Sequence, residues 1–141
     1  MYKTKLNIVE LESGEYHTLL QIKVSGRVLR AVLDSGASHS CIDSVFAMDL
    51  LPELETQSYE GVTAGIGGNE FAVRIANVPD FRIGRFRLPC YENMALIDFT
   101  YINMAYQRLK KRPLQMILGN DFLVKHRAVV DYKNSLLCFE K

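Results

Sequence analysis

The apolar run Val28-Leu29-Arg30-Ala31-Val32-Leu33 leads directly into Asp34-Ser35-Gly36-Ala37-Ser38. A carboxyl at the mouth of an apolar strand is costly unless it is paired, hydrogen-bonded or protonated. Two readings follow. Asp, Ser and Gly are common turn residues, so on the first reading the tripeptide simply reverses the chain. Alternatively, Asp34 is an acid placed for proton transfer. Two other stretches stand out: the glycine-rich Gly65-Ile66-Gly67-Gly68, and Ile117-Leu118-Gly119, a short apolar run closed by glycine. Metal chemistry is not suggested. The three cysteines (Cys41, Cys90, Cys138) and three histidines (His17, His39, His126) are scattered, whereas a zinc site needs clustered ligands. No metal and no other cofactor is expected. An odd, widely spaced set of cysteines also speaks against a disulfide framework.

These residues need a frame. The chain has 141 residues and 16.1 kDa, which predicts one domain over 1–141. A chain of this size buries roughly 68–70% of its unfolded surface, enough for a core without staples. Apolar residues make up 48% and charged residues 23%, a globular mixture. A formal net charge of +1 excludes a bulk electrostatic design for nucleic acid or an anionic membrane. Neither partner is therefore expected. No uninterrupted apolar run exceeds four residues, so neither a signal-peptide h-region nor a spanning helix is indicated. A soluble, cytoplasmic protein is the expectation.

Apolar–polar alternation predicts strands over Lys5–Val9, Leu19–Val24 and Val28–Leu33, with a hairpin turn at Ser25-Gly26. Strands are also predicted near Ser58–Thr63 and Glu70–Val78, with the glycine-rich tip between them, and a strand pair or bent strand over Phe81–Leu88. After Asp98 the period changes. Ile102, Ala105, Tyr106 and Leu109 fall on one helical face, Thr100 or Asp98 is placed to cap it, and Pro113 would stop it. Arg108, Lys110, Lys111 and Arg112 crowd its end. They read first as a solvated helix C-terminus favoured by the dipole, and second as an anion contact. A short helix from Asp121 and strands Ala128–Tyr132 and Leu136–Phe139 complete a mostly β chain, closed or nearly closed around one core.

Together these pieces resemble the retropepsin-like aspartic proteases. Ala31-Val32-Leu33-Asp34-Ser35-Gly36-Ala37-Ser38 is similar to their active-site strand and loop. Gly65-Ile66-Gly67-Gly68 looks like their flap tip, and Ile117-Leu118-Gly119-Asn120-Asp121-Phe122-Leu123 like the strand and helix beneath the active-site loop. The tail Ala128–Leu137 is similar to bacterial members of the group. The resemblance spans roughly 19–139. It implies the acid-protease fold: a closed β-barrel with one inserted helix near 99–111 and a short C-terminal helix near 121–126.

The resemblance also implies an activity: endopeptidase cleavage of a peptide or protein substrate. Enzymes of this class use two carboxylates sharing one proton, because like charges so close cannot both ionise. Asp-Ser-Gly occurs once here, so the resemblance implies a twofold homodimer contributing one Asp34 from each chain. On this reading Ser35 bonds the partner loop, Gly36 lets substrate backbone approach and Ala37 keeps the loop slim. Gly65, Ile66, Gly67 and Gly68 close over the substrate, and Ile117, Leu118 and Gly119 support the loop. Two departures stand out. Retroviral enzymes carry an acid where Ser38 stands and an Arg where Asn120 stands, and these pair to help subunits associate. Here both are neutral, a milder change than losing one partner of a buried pair. His39 falls where a substrate pocket would begin. The segment 91–113 is longer than in retroviral enzymes, and either packs on the barrel or supplies dimer contacts. A non-catalytic peptide-binding or dimerisation module on the same fold is the alternative function.

Overall fold

The structure is a computed structural model and describes residues 1–59 and 73–141. In β3 (Glu15–Val24) Leu20, Ile22 and Val24 are buried while Gln21 and Lys23 are exposed. In β4 (Arg27–Leu33) Leu29, Ala31 and Leu33 are buried in the same way. The two join through Ser25 and Gly26, at φ 48° and 81°. Positive φ at both central residues gives a turn whose twist matches a hairpin, as the sequence predicts.

The strand expected over Lys5–Val9 is instead two, β1 (Tyr2–Lys5) and β2 (Asn7–Glu12). They break at Leu6, which is fully buried and whose amide donates to the Ser135 carbonyl at 2.8 Å. The break lets the chain change sheets: β2 pairs with β3, and β1 pairs with the last strand, β11 (Leu136–Phe139). Past Asp34, β5 (Cys41–Asp43), α1 (Ser44–Leu50) and β6 (Thr56–Ser58) fill a stretch for which alternation predicts nothing. Val45 and Met48 of α1 are exposed although apolar, which blurs any helical stripe.

The pair predicted around Gly84 is a long hairpin of β7 (Arg74–Ile83) and β8 (Phe86–Ile97). Only parts of the strands expected over 58–63 and 70–78 fall among the described residues. The N-cap of α2 (Thr100–Arg108) is Phe99, without a side-chain capping bond, rather than the expected Thr100 or Asp98; Asp98 lies one position outside and accepts the Thr100 amide at 2.9 Å. The helix ends earlier than Pro113: Lys110 takes φ 56° and turns the chain out. β9 (Met116–Leu118), α3 (Asn120–Lys125) and β10 (Val129–Asp131) follow.

β3, β4, β9, β5, β8 and β7 are hydrogen-bonded in that order, and β7 returns to β3 through Lys23↔Arg82 and Val24↔Phe81. Six strands thus close a barrel, the predicted mostly β, retropepsin-like architecture with its two predicted helices and one further helix, α1. β1, β11 and β10 form a separate three-stranded sheet.

Two apolar clusters result. One fills the barrel, with Phe81, Phe86, Phe122 and Phe139 meeting largely edge to face, the geometry their quadrupoles favour. The other lies on the outer face of β4 and β9, where Phe99, Ile102 and Tyr106 pack against Val32, Ile117, Leu19 and Cys41. The 91–113 segment therefore packs on the barrel.

Candidate active site

β4 and β9 run parallel with Val32↔Ile117 and Leu33↔Leu118 in register. The ladder continues one step further, as the Asp34 amide donates to the Leu118 carbonyl at 3.0 Å. Strand alternation then sets direction. Leu33 points into the barrel, whereas Val32 lies in the outer cluster, and Asp34 stands on Val32's side. The chain turns at once, since the Ala37 amide returns to the Asp34 carbonyl at 3.1 Å. The Gly36 amide donates to Asp34 Oδ1 at 2.8 Å. Asp34, Ser35, Gly36 and Ser38 are exposed in the single chain, and Ala37 is half-buried.

The loop is held from below. Gly119 lies so close that a Cβ there would sit 2.8 Å from the Ala37 carbonyl oxygen and 2.9 and 3.0 Å from the His39 carbonyl carbon and oxygen. Only a residue without a side chain allows that approach. Asn120 adds two bonds: its amide donates to the Ala37 carbonyl at 2.8 Å, and its side-chain Nδ2 to the Ser35 carbonyl at 2.6 Å. Asn120, neutral where retroviral enzymes have Arg, thus binds its own loop.

A buried polar cluster behind the loop is not foreseen in the sequence. Ser40 donates its amide and its Oγ to Asp121 Oδ1 at 2.9 and 2.7 Å, and its Oγ accepts the Gly119 amide at 2.8 Å. The Tyr91 hydroxyl donates to Asp121 Oδ2 at 2.9 Å and lies 3.1 Å from Ser40 Oγ. Burial, with a smaller contribution from Asp121, pushes the Tyr91 phenol far above its ordinary range, so it stays a donor. Ser40 and Asp121 stand 81 residues apart, and nothing local in the sequence links them.

Asp34 to Ser38 and Ile117 to Gly119 are brought together in one layered unit. Gly65, Ile66, Gly67 and Gly68 lie outside the described residues. On either side of the undescribed residues β6 and β7 pair as far as Ser58↔Arg74, and the Tyr59 amide donates to the Val73 carbonyl at 2.9 Å. His39 is half-buried, its ring 5.7 Å from that of Tyr59, edge to face. It lines a cleft of about 500 Å³ with Tyr91, Asn93, Asp121, Lys125 and His126. Among the described residues no group of three or more His, Cys, Asp or Glu side chains is placed to hold a metal ion, and no helix is long and apolar enough to cross a membrane.

Comparison with known proteins agrees with this arrangement. Residues 20–122 match the family model described as aspartyl protease. The chain is 27% identical over 119 residues to the DNA damage-inducible protein 1 of Kluyveromyces lactis, covering 84% of this chain and 25% of that protein. It is 29% identical over 133 residues to the human protein DDI1 homolog 1, covering 89% of this chain and 29% of that protein. It thus spans a quarter to a third of these relatives' length. Among solved structures, the retroviral protease-like domain of Ddi1 from Leishmania major superposes with a TM-score of 0.56 at 17% identity, covering 87% of each chain. A retropepsin-like aspartic protease from Rickettsia conorii superposes with a TM-score of 0.52 at 17% identity, covering 98% of this chain and 88% of that one.

Proposed function

Because the chain belongs to the aspartyl protease family, we propose that it is an aspartic endopeptidase that works as a homodimer, with residues 1–141 as one catalytic domain and peptides or proteins as substrate. The observation that carries the proposal is the loop itself. Asp34 stands exposed on its strand's outer face, its carboxylate oriented by the Gly36 amide at 2.8 Å, over a strand and helix built to hold it still. A free single chain offers one such carboxylate, so the site is completed by the same loop of a second chain.

The chemistry then follows from the shared proton. Two Asp34 carboxyls brought together on a twofold axis hold one proton between them. The ionised one takes a proton from a bound water, which attacks the scissile carbonyl. The protonated one donates a hydrogen bond to that carbonyl oxygen. The tetrahedral diol collapses as a proton passes to the departing nitrogen. No metal and no covalent enzyme intermediate takes part.

Ser35 supplies a hydroxyl to the partner loop, and the Gly36 carbonyl accepts from the substrate backbone. Gly65, Ile66, Gly67 and Gly68 close over the bound peptide and hold it through backbone amides. Ile117, Leu118 and Gly119 act through the loop they support. Asn120 and Ser38 form no ion pair, so dimer association rests on other contacts.

The test is cleavage of a degenerate peptide mixture from acidic to neutral pH, with light scattering at micromolar concentration on the same sample. Asp34→Asn is expected to abolish cleavage and leave the fold intact. Undiminished proteolysis by Asp34→Asn refutes the assignment. A well-formed wild-type dimer that cleaves nothing at any pH points to the non-catalytic module.

A further inference from the structure

We propose that the cleft between β1, β2, β3, β4 and the segment following α2 binds a doubly charged oxyanion of the phosphoryl type. The cleft measures about 430 Å³ and is lined by Lys5, Arg30 and Arg112 together with Thr4, Asn7 and Gln21. Three cations thus face one concavity, and no acid is among the described residues that line it. The basic run closing α2 is well explained as a solvated helix end for Arg108, but not for Arg112. Arg112 lies beyond the helix and lines the same cleft as Arg30 of β4.

Arg30 is the less expected of the pair. It projects from the outer face of β4, half-buried, and its Nε is buried without a hydrogen-bond partner among the described residues. A buried donor left without an acceptor is unfavourable, more so on a charged group. Burial, and then the charge of Arg112, both act against the protonated form of Arg30. An oxyanion in the cleft relieves the repulsion and offers acceptors to the Arg30 and Arg112 guanidinium groups that line it. Arg30 is also fixed in place by its backbone. Its amide donates to Gln115 Oε1 at 2.8 Å, and its carbonyl accepts the Gln115 amide at 2.9 Å. The strand bearing Arg30 and the segment bearing Arg112 are therefore already tied together.

The ligand class follows from the donors. Two guanidinium forks match the geometry of phosphate and carboxylate oxygens, and the lysine adds a compact charge. Three positive charges suit a dianion better than a single carboxylate. Thr4, Asn7 and Gln21 supply neutral donors for the remaining oxygens. A free phosphate ion and a phosphoryl ester share this chemistry. The cleft does not contain Asp34, and binding there is independent of proteolysis.

Calorimetric titration of the full chain with inorganic phosphate, and separately with O-phosphoserine, at constant ionic strength and neutral pH tests the proposal. Saturable binding of about one ligand per chain is expected, weakened about tenfold by exposed-site Arg112→Gln. The melting temperature of the ligand-free variant should be unchanged. Tighter binding of phosphate assigns the free ion, and tighter binding of O-phosphoserine assigns an esterified phosphoryl group. Arg30→Gln is expected to act in the same direction. Absence of saturable binding of either ligand, or equal binding by wild type and Arg112→Gln, overturns the proposal.

Discussion

Gly119→Ala gives the sharpest view of how the Asp34 loop is held. Gly119 has φ −108° and ψ −169°, an extended conformation open to any residue, so alanine brings no backbone strain. The effect is purely steric. The new methyl would meet the Ala37 carbonyl oxygen at 2.8 Å and the His39 carbonyl at 2.9 and 3.0 Å. Ordinary carbon contacts lie near ~3.5 Å or beyond, so the loop must retreat by roughly half an ångström. All three contacts are to backbone, and no rotamer can swing aside. Overpacking of this kind costs ~1–3 kcal/mol, offset by ~0.4–1 kcal/mol from the stiffer unfolded chain. A net loss of about 1–2 kcal/mol remains. For 141 residues each kcal/mol moves Tm by roughly 3–5 °C, so thermal denaturation should show a fall of about 3–10 °C. Cleavage should fall further than stability, because the retreat also disturbs the 2.8 Å bond from the Asn120 amide to the Ala37 carbonyl. A Tm unchanged within about 1 °C, with full activity, would show that the loop does not rest on Gly119.

Ser40→Ala leaves the Gly119 amide without its 2.8 Å acceptor and takes the 2.7 Å hydroxyl bond from Asp121, which keeps only the bond from the Ser40 amide on that oxygen. A loss of about 1–3 kcal/mol is expected in denaturant unfolding, and less for Tyr91→Phe, which removes only the Tyr91 hydroxyl. Burial, aided by Lys125 and opposed by the Glu140 carbonyl, holds the His126 imidazole below its ordinary pKa. The fold therefore favours the neutral ring, and its contribution is present above about pH 6.5 and lost as pH falls through the depressed value. Stability measured from pH 7.5 to pH 5 should decline, and His126→Phe, set among Phe86, Phe122 and Phe139, should flatten that part of the decline. Burial pushes the Cys41 thiol up to about 12, so mass spectrometry after brief iodoacetamide treatment of the native protein at pH 7.5 should find Cys41 unmodified. Rapid labelling of Cys41 would contradict its burial.

The parts of the site legible in the sequence are those that use local patterns. Alternation through Val28 to Leu33 announces β4, and the abrupt Asp34-Ser35-Gly36 marks its end. Ile117-Leu118-Gly119 is legible through the family resemblance, and the close approach of Gly119 to Ala37 and His39 supplies the physical reason for the glycine. The Ser40, Tyr91 and Asp121 cluster is hidden because its members are distant in sequence and each is an unremarkable polar residue in its own neighbourhood. The break at Leu6 is hidden for a different reason: alternation runs through it unbroken, and only the change of sheet partner reveals it. In α2 the predicted face is partly right. Tyr106 is buried and Ile102 half-buried, but Ala105 is exposed, since the helix touches the barrel along a narrower line than a full apolar stripe. Asn120 carries the most instructive difference. Its neutrality reads in sequence as a missing ion pair, whereas its backbone amide and side-chain Nδ2 bind the Ala37 and Ser35 carbonyls of the Asp34 loop.

The central claim is that two copies of Asp34, one from each chain, make a single site. It is tested most directly by mixing wild-type chains with increasing amounts of Asp34→Asn chains under exchanging conditions and measuring cleavage per wild-type chain. Random pairing leaves a quarter of the dimers fully wild type in an equal mixture, so cleavage per wild-type chain should drop to about half. It should fall further in proportion as the variant is added. Cleavage per wild-type chain that stays constant across the whole series would mean that one chain carries a complete site, and the shared dyad would be wrong.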